Sequence, residues 1–147
     1  MNTQCCFSRV IVIDRVSRFL CVRQKMGIEY VWNFPGGKVE RNESAIDAAH
    51  RELFEELGIS VPSFSYHLVK IVSIGGVVWI GNFFVATKQY GAPYIAEPDK
   101  IANYKYCSFA QMLHLPSIKP VFSTVASSFL YPRRSRFKFQ SLNCCCG

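Results

Sequence analysis

Residues 43–57 contain neither Pro nor Gly, five of the fifteen are Ala or Leu, and Gly58 follows where a left-handed C-cap needs a residue without a Cβ. The pattern predicts a helix, and any fold has to accommodate it. With Glu52 set at 0° and an advance of about 100° per residue, Glu55 falls near −60° and Glu56 near +40°, so three carboxylates share an arc of about 100°. Ile46, Leu53 and Leu57 fall at about 100° to 140°, a stripe suited to docking on a sheet. Ala45 and Ala48 lie on the acidic side, where small side chains would leave a ligand room to approach. Like charges at this spacing cost about 0.2 to 0.5 kcal/mol per pair. A bound cation reverses that sign, and magnesium takes oxygen ligands from a few carboxylates, from water and from substrate phosphates. A solvated acidic face is the alternative for any Glu-rich helix.

The rest of the chain reads mainly as strands. Residues 7–13 (FSRVIVI) and 19–24 (FLCVRQ) are rich in β-branched and aromatic side chains and are separated by a short polar loop. Residues 31–34 form another strand, ended by Pro35-Gly36-Gly37 in a predicted sharp turn. Residues 66–74 and 77–87 flank Gly75-Gly76 and are expected to pair as a buried antiparallel hairpin. Residues 91–100, with two prolines, read as a loop and 103–108 as a short strand. Residues 109–115 and 119–130 are predicted to be helical.

A chain of 147 residues with 50% hydrophobic residues is expected to form one folded domain over 1–131, followed by a basic, cysteine-ending, flexible tail over 132–147. Seventeen Lys and Arg against ten Asp and Glu give a net charge of +7, which favours anionic partners and excludes no fold. Seven cysteines, an odd number without CxxC spacing, indicate neither a disulfide framework nor a zinc site. Charges within the first twenty residues break any signal-peptide run, so a reduced, cytoplasmic protein is expected. The 17-residue uncharged run over 71–87 is shorter than a bilayer span and is interrupted by the glycine pair and Asn82.

From Gly37 the chain reads Gly, five residues, Glu43, seven residues, then Arg51-Glu52-Leu53-Phe54-Glu55-Glu56-Leu57-Gly58-Ile59. This is similar at every specified position to the Nudix box, GX5EX7REUXEEXGU with U aliphatic. A chance match has a probability on the order of 10⁻⁹ per starting position. The resemblance implies an α/β fold, the αβα sandwich with a mixed β-sheet and a catalytic loop-helix-loop. It implies an enzyme that hydrolyses a nucleoside diphosphate linked to X, with Mg2+ as cofactor and Mn2+ able to replace it. Carried over, the pattern makes Glu52, Glu55 and Glu56 metal ligands together with the Gly36 carbonyl, and pairs Glu43 with Arg51 as structural support. Glu52 is the first choice of general base. In some relatives a carboxylate on a later loop does that work, which here means Glu97 or Asp99. Lys38 either meets a phosphate or is an ordinary exposed lysine.

Neither downstream mark of the ADP-ribose or dinucleoside polyphosphate hydrolases stands at residues 73–77, and no added domain is expected on either side of the box. The short MutT-like branch remains, which implies a (d)NTP pyrophosphohydrolase giving a monophosphate and pyrophosphate, with sanitising of the nucleotide pool as its use. The alternatives are a nucleotide-sugar or other NDP-X hydrolase and a non-catalytic nucleotide- or RNA-binding module. Trp32, Phe34, Trp79, Phe83, Phe84 and Tyr106 are aromatic candidates for stacking a base, although strand alternation makes core positions the more common reading. Asn33 either reads a base edge or caps a turn. Family members often form homodimers. The tail interleaves Arg133, Arg134, Arg136 and Lys138 with aromatic residues and ends in three cysteines. That composition suits RNA or an anionic membrane, and a solvated tail is the plainer expectation.

Overall fold

The computed structural model describes residues 5–116 and Val125. Strand β1 (Cys5–Val12) leads to β2 (Phe19–Met26), β3 (Glu29–Asn33) and β4 (Gly36–Lys38), followed by helix α1 (Ala45–Leu57), β5 (Tyr66–Ile74), β6 (Val77–Ala86), β7 (Ile101–Cys107) and α2 (Phe109–Leu113). Two sheets form, in the orders β4-β1-β6-β5 and β3-β2-β7. The first is mixed: β1 runs parallel to β6 from Cys5↔Trp79 to Val12↔Ala86 and antiparallel to β4. The second is antiparallel throughout.

Alternation along the strands builds two apolar layers. On one face Val10, Val12, Leu20, Val22 and Phe84 meet Ala49, Leu53 and Leu57 of α1. On the other, Phe7, Ile11, Phe19, Phe34 and Phe83 meet Met112 of α2, with Leu115 and Val125. Each fully buried leucine contributes about 1.5 to 3 kcal/mol relative to exposure, so Leu53 and Leu57 hold α1 against the sheets. The result is the expected α/β sandwich with a mixed sheet.

Several local expectations change. Residues 7–13 and 19–24 do form strands, but in different sheets, linked by the single bridge Ile13↔Phe19. The Gly75-Gly76 hairpin forms with Ile74 opposite Val77 and with both glycines at positive φ. Its tip is not buried, because β5 is an edge strand: Ile71 is 77% exposed, and Val77 and Val78 are also open to solvent. The predicted turn at Gly36-Gly37 is instead the short strand β4. Gly36, at φ 144°, lies so close to β1 that an added Cβ would strike the Ser8 carbonyl, so only glycine allows this pairing. The helix begins at Ala45, capped by Ser44, whose hydroxyl accepts from the Asp47 amide at 3.1 Å, and ends at Gly58 with φ 64°. The helix predicted over 119–130 lies outside the described residues except for Val125, as does all of the 132–147 tail. Among the described residues no helix is long and apolar enough to cross a membrane.

Candidate active site

Helix α1 turns its acidic side inward. Its buried residues are Ala48, Ala49, Glu52, Leu53, Glu56 and Leu57, an arc centred at about 50° on the helical scale, between the acidic and apolar faces. Ile46 therefore sits outside the docking stripe and is 45% exposed. Ala48 opens no space for a ligand but is fully buried, because the first turns of α1 pack on β1, where the Ser8 hydroxyl donates to the Ala45 carbonyl at 2.6 Å.

Glu52 and Glu56, one turn apart, are left 5% and 0% exposed at the side chain, and the Lys100 ammonium lies between them, 2.8 Å from Glu52 Oε2 and 3.1 Å from Glu56 Oε1. Burial pushes the Glu56 carboxyl up to about 7; Lys100 and Arg9 oppose the rise and the neighbouring Glu52 adds to it. Lys100 itself is raised: burial works against its charge, but the two carboxylates outweigh that. Glu55 points elsewhere, with Oε2 accepting from Arg51 Nη1 at 3.0 Å.

Arg51 organises the outer half of the site. Nε donates to Glu43 Oε1 at 2.6 Å and Nη2 to Glu43 Oε2 at 3.1 Å, a bidentate pair, while Nη1 also reaches Glu52 Oε1 at 3.1 Å. Nη2 further donates to the Lys38 carbonyl at 3.1 Å, tying α1 to β4. Glu43 and Arg51 thus pair as the sequence suggested. The Lys38 ammonium lies over the Trp79 ring, 5.3 Å from its centroid.

The inner half adds Arg9 and Gln24, which no motif marked, to Gly36 and Glu56. The Gly36 amide donates to Glu56 Oε2 at 3.1 Å, while the Gly36 carbonyl accepts from buried Arg9 Nη1 at 2.8 Å and from Gln24 Nε2 at 3.4 Å. Gln24 Nε2 also reaches Glu56 Oε1 at 3.3 Å, beside a register shift between Arg23 and Gln24. The guanidinium of Arg9 within FSRVIVI and the amide of Gln24 at the end of FLCVRQ were the available signal: a polar residue on a buried strand needs a partner. Nothing in the local pattern of 91–100 pointed to Lys100.

Other candidates fall away from the site or gain definition. Phe34 is fully buried against Phe19, with 6.5 Å between ring centroids, and presents no face to a base. Asn33 is buried, and its Oδ1 accepts from the Phe34 amide at 2.9 Å, the turn-capping role. Trp32, Phe83 and Phe84 are likewise buried, while Trp79 and Tyr106 are half-buried. Asp99 is exposed, whereas Glu97 is partly buried and its Oε1 has no hydrogen-bond partner among the described residues. The loop carrying Glu97 is fastened to the end of α1 by the Tyr94 amide on the Leu57 carbonyl and the Ala96 amide on the Glu56 carbonyl, both at 3.0 Å.

Among the described residues no three Asp, Glu, His or Cys side chains converge tightly enough to form a metal cluster, because Glu55 is turned to Arg51. The donor chemistry nevertheless fits a hard cation. Glu52 and Glu56 offer only oxygen, are almost wholly shielded from water, and already hold one positive charge between them.

Residues 8–125 match the family model described as NUDIX domain. The chain is 35% identical over 89 residues to an 8-oxo-dGTP diphosphatase of Buchnera aphidicola, a match covering 60% of this chain and 66% of that protein. It is 41% identical over 49 residues to the phosphatase NudJ of Escherichia coli, covering 33% and 32% respectively. The matched segments thus span less than two thirds of either relative. A MutT protein of Methanosarcina mazei has the same fold, with a TM-score of 0.74 over 92% of this chain and 99% of that one at 17% identity.

Proposed function

The chain belongs to the NUDIX family, and on that footing we propose that it is a metal-dependent pyrophosphohydrolase that converts a nucleoside triphosphate to its monophosphate and pyrophosphate. The observation that carries this reading is the buried Glu52–Glu56 pair, one helical turn apart and built around a cation. The likeness to an 8-oxo-dGTP diphosphatase supports a triphosphate, oxidised or not, as substrate. The thiols of Cys21 and Cys107, buried and outside any disulfide, suit the reducing cytoplasm, where such nucleotides are found.

Glu52 and Glu56 would hold the ion, with Glu55 joining them once released from Arg51. Mg2+, or Mn2+ in its place, would neutralise phosphate charge when bound. The remaining work falls to the chain. Water attacks phosphorus, the new oxygen–phosphorus bond replaces the bond to the leaving pyrophosphate, and the departing oxygen keeps the electron pair. The water's proton needs an acceptor. Both Glu52 oxygens are engaged, by Arg51 and by Lys100, whereas Glu97 Oε1 is buried without a partner, so Glu97 takes the proton and Glu52 keeps to charge and position.

The test is turnover of a panel of normal and oxidised nucleoside triphosphates, nucleotide sugars, ADP-ribose and dinucleoside polyphosphates, with magnesium and with chelator. Expected are a monophosphate and pyrophosphate from at least one triphosphate, none of either in chelator, and a loss of about 100-fold or more in Glu56→Gln. Turnover confined to a nucleotide sugar or dinucleotide overturns the substrate class. Metal-independent binding without turnover overturns the enzyme.

A further inference from the structure

Lys100 lies outside the box, yet its ammonium occupies the space between the two buried carboxylates. Its backbone is pinned on both sides: its amide donates to the Glu97 carbonyl at 3.0 Å and its carbonyl accepts from the Lys25 amide at 2.8 Å. The loop before it is tied to the last turn of α1, where Tyr94 packs so closely on Gly58 that a Cβ there would strike the ring. Only the four-carbon side chain is left to move, and at 31% exposure it has a path to water.

We propose that Lys100 is a resident counter-ion, a positioning residue that holds Glu52 and Glu56 together in the metal-free protein and swings into solvent when a divalent ion takes the same oxygens. The inference rests on the metal-dependent reading above. Without a cation, two buried carboxylates one turn apart repel and pull on Gly36 and Gln24, which both hydrogen-bond Glu56. Magnesium bonds oxygen at about 2.0 to 2.1 Å, closer than the ammonium stands, so the two cations exclude each other. Lys100 therefore keeps the site assembled at a cost in metal affinity.

Two measurements test this. In Lys100→Met the metal-free thermal midpoint falls by about 4 °C or more, while calorimetry shows magnesium binding about tenfold tighter than in the original chain. In the unaltered protein, acetylation by a small amine-reactive reagent, read site by site by mass spectrometry, labels Lys100 slowly without metal and several-fold faster at saturating magnesium, with exposed Lys88 as internal reference. Unchanged or weaker metal affinity in Lys100→Met, or a labelling rate that stays level or falls with magnesium, overturns the proposal. The labelling arm stands even where the variant does not fold. Absence of magnesium binding in the unaltered chain defeats the functional reading instead, and the metal-free midpoint then still decides whether Lys100 holds the carboxylates.

Discussion

Arg9 Nη1 donates to the Gly36 carbonyl at 2.8 Å from inside the protein, and the same nitrogen reaches the Phe34 carbonyl at 3.1 Å and Gln24 Oε1 at 3.0 Å. Burial lowers the guanidinium from its ordinary value, and Glu56 and Glu52 across the site work to restore it. The start of β4 is thus positioned by a charge on β1, and that charge is balanced by the carboxylates of α1.

Replacing Arg9 by Met is expected to cost about 3 to 5 kcal/mol, since it leaves Glu56 buried with one cation fewer and the Gly36 carbonyl with only the longer contact from Gln24. Arg9→Lys recovers little, because one ammonium does not reproduce the planar fork. Urea denaturation at neutral pH reads both; a loss below about 1 kcal/mol in Arg9→Met would show that the contact is incidental.

The two glycines separate backbone from side-chain effects. In Gly36→Ala the new methyl meets the Ser8 carbonyl and Arg9 Cα of a neighbouring strand at a positive φ, so a loss of about 3 kcal/mol or more is expected. In Gly37→Ala it meets the carboxyl end of Glu52, a side chain that can shift, so stability changes by about 1 kcal/mol while turnover falls at least tenfold. Denaturation and steady-state rates on both variants decide the matter; equal destabilisation contradicts it.

Hydrogen bonds from Arg51 hold the Glu43 carboxyl below its ordinary value of 4.5, against a smaller opposing effect of burial. A carboxyl with a depressed folded pKa contributes stability above its unfolded value, and that contribution is lost as pH falls through the folded one. The stability gap between the original chain and Glu43→Gln should be widest at neutral pH and shrink steadily below about pH 4.5. Denaturant midpoints at several pH values measure it, and a gap that persists or widens in acid goes against the pairing.

Glu97→Gln should lower kcat by about 100-fold with little change in KM, whereas exposed Asp99→Asn stays within about twofold of the original rate. Steady-state kinetics at saturating magnesium distinguish them. A large effect at Asp99 and none at Glu97 would reverse the assignment.

Much of the framework was legible because short-range physics writes it. The absence of Pro and Gly over 43–57 and Gly58 at the end delimit α1 to within two residues. Gly75-Gly76 places the hairpin turn and its register. The box spacing picks out Glu52, Glu55 and Glu56 before any contact is known. Local patterns fall short where burial decides: Ile46 lies outside the expected docking stripe, the hairpin tip is open to solvent, and burial settles Asn33 on the turn-capping side of its two expected roles.

The sequence alone determined the helix, its C-cap, the Gly75-Gly76 hairpin and the spacing of the acids, because each depends on residues close to one another along the chain. Only the tertiary structure decided which carboxylates share a cation and which face an arginine. Lys100 reaches Glu52 across 48 positions and Arg9 reaches Gly36 across 27. Nothing local encodes such pairings; they arise because packing α1 against two sheets takes Glu52 and Glu56 out of water, and charges so buried must find partners wherever the fold brings them.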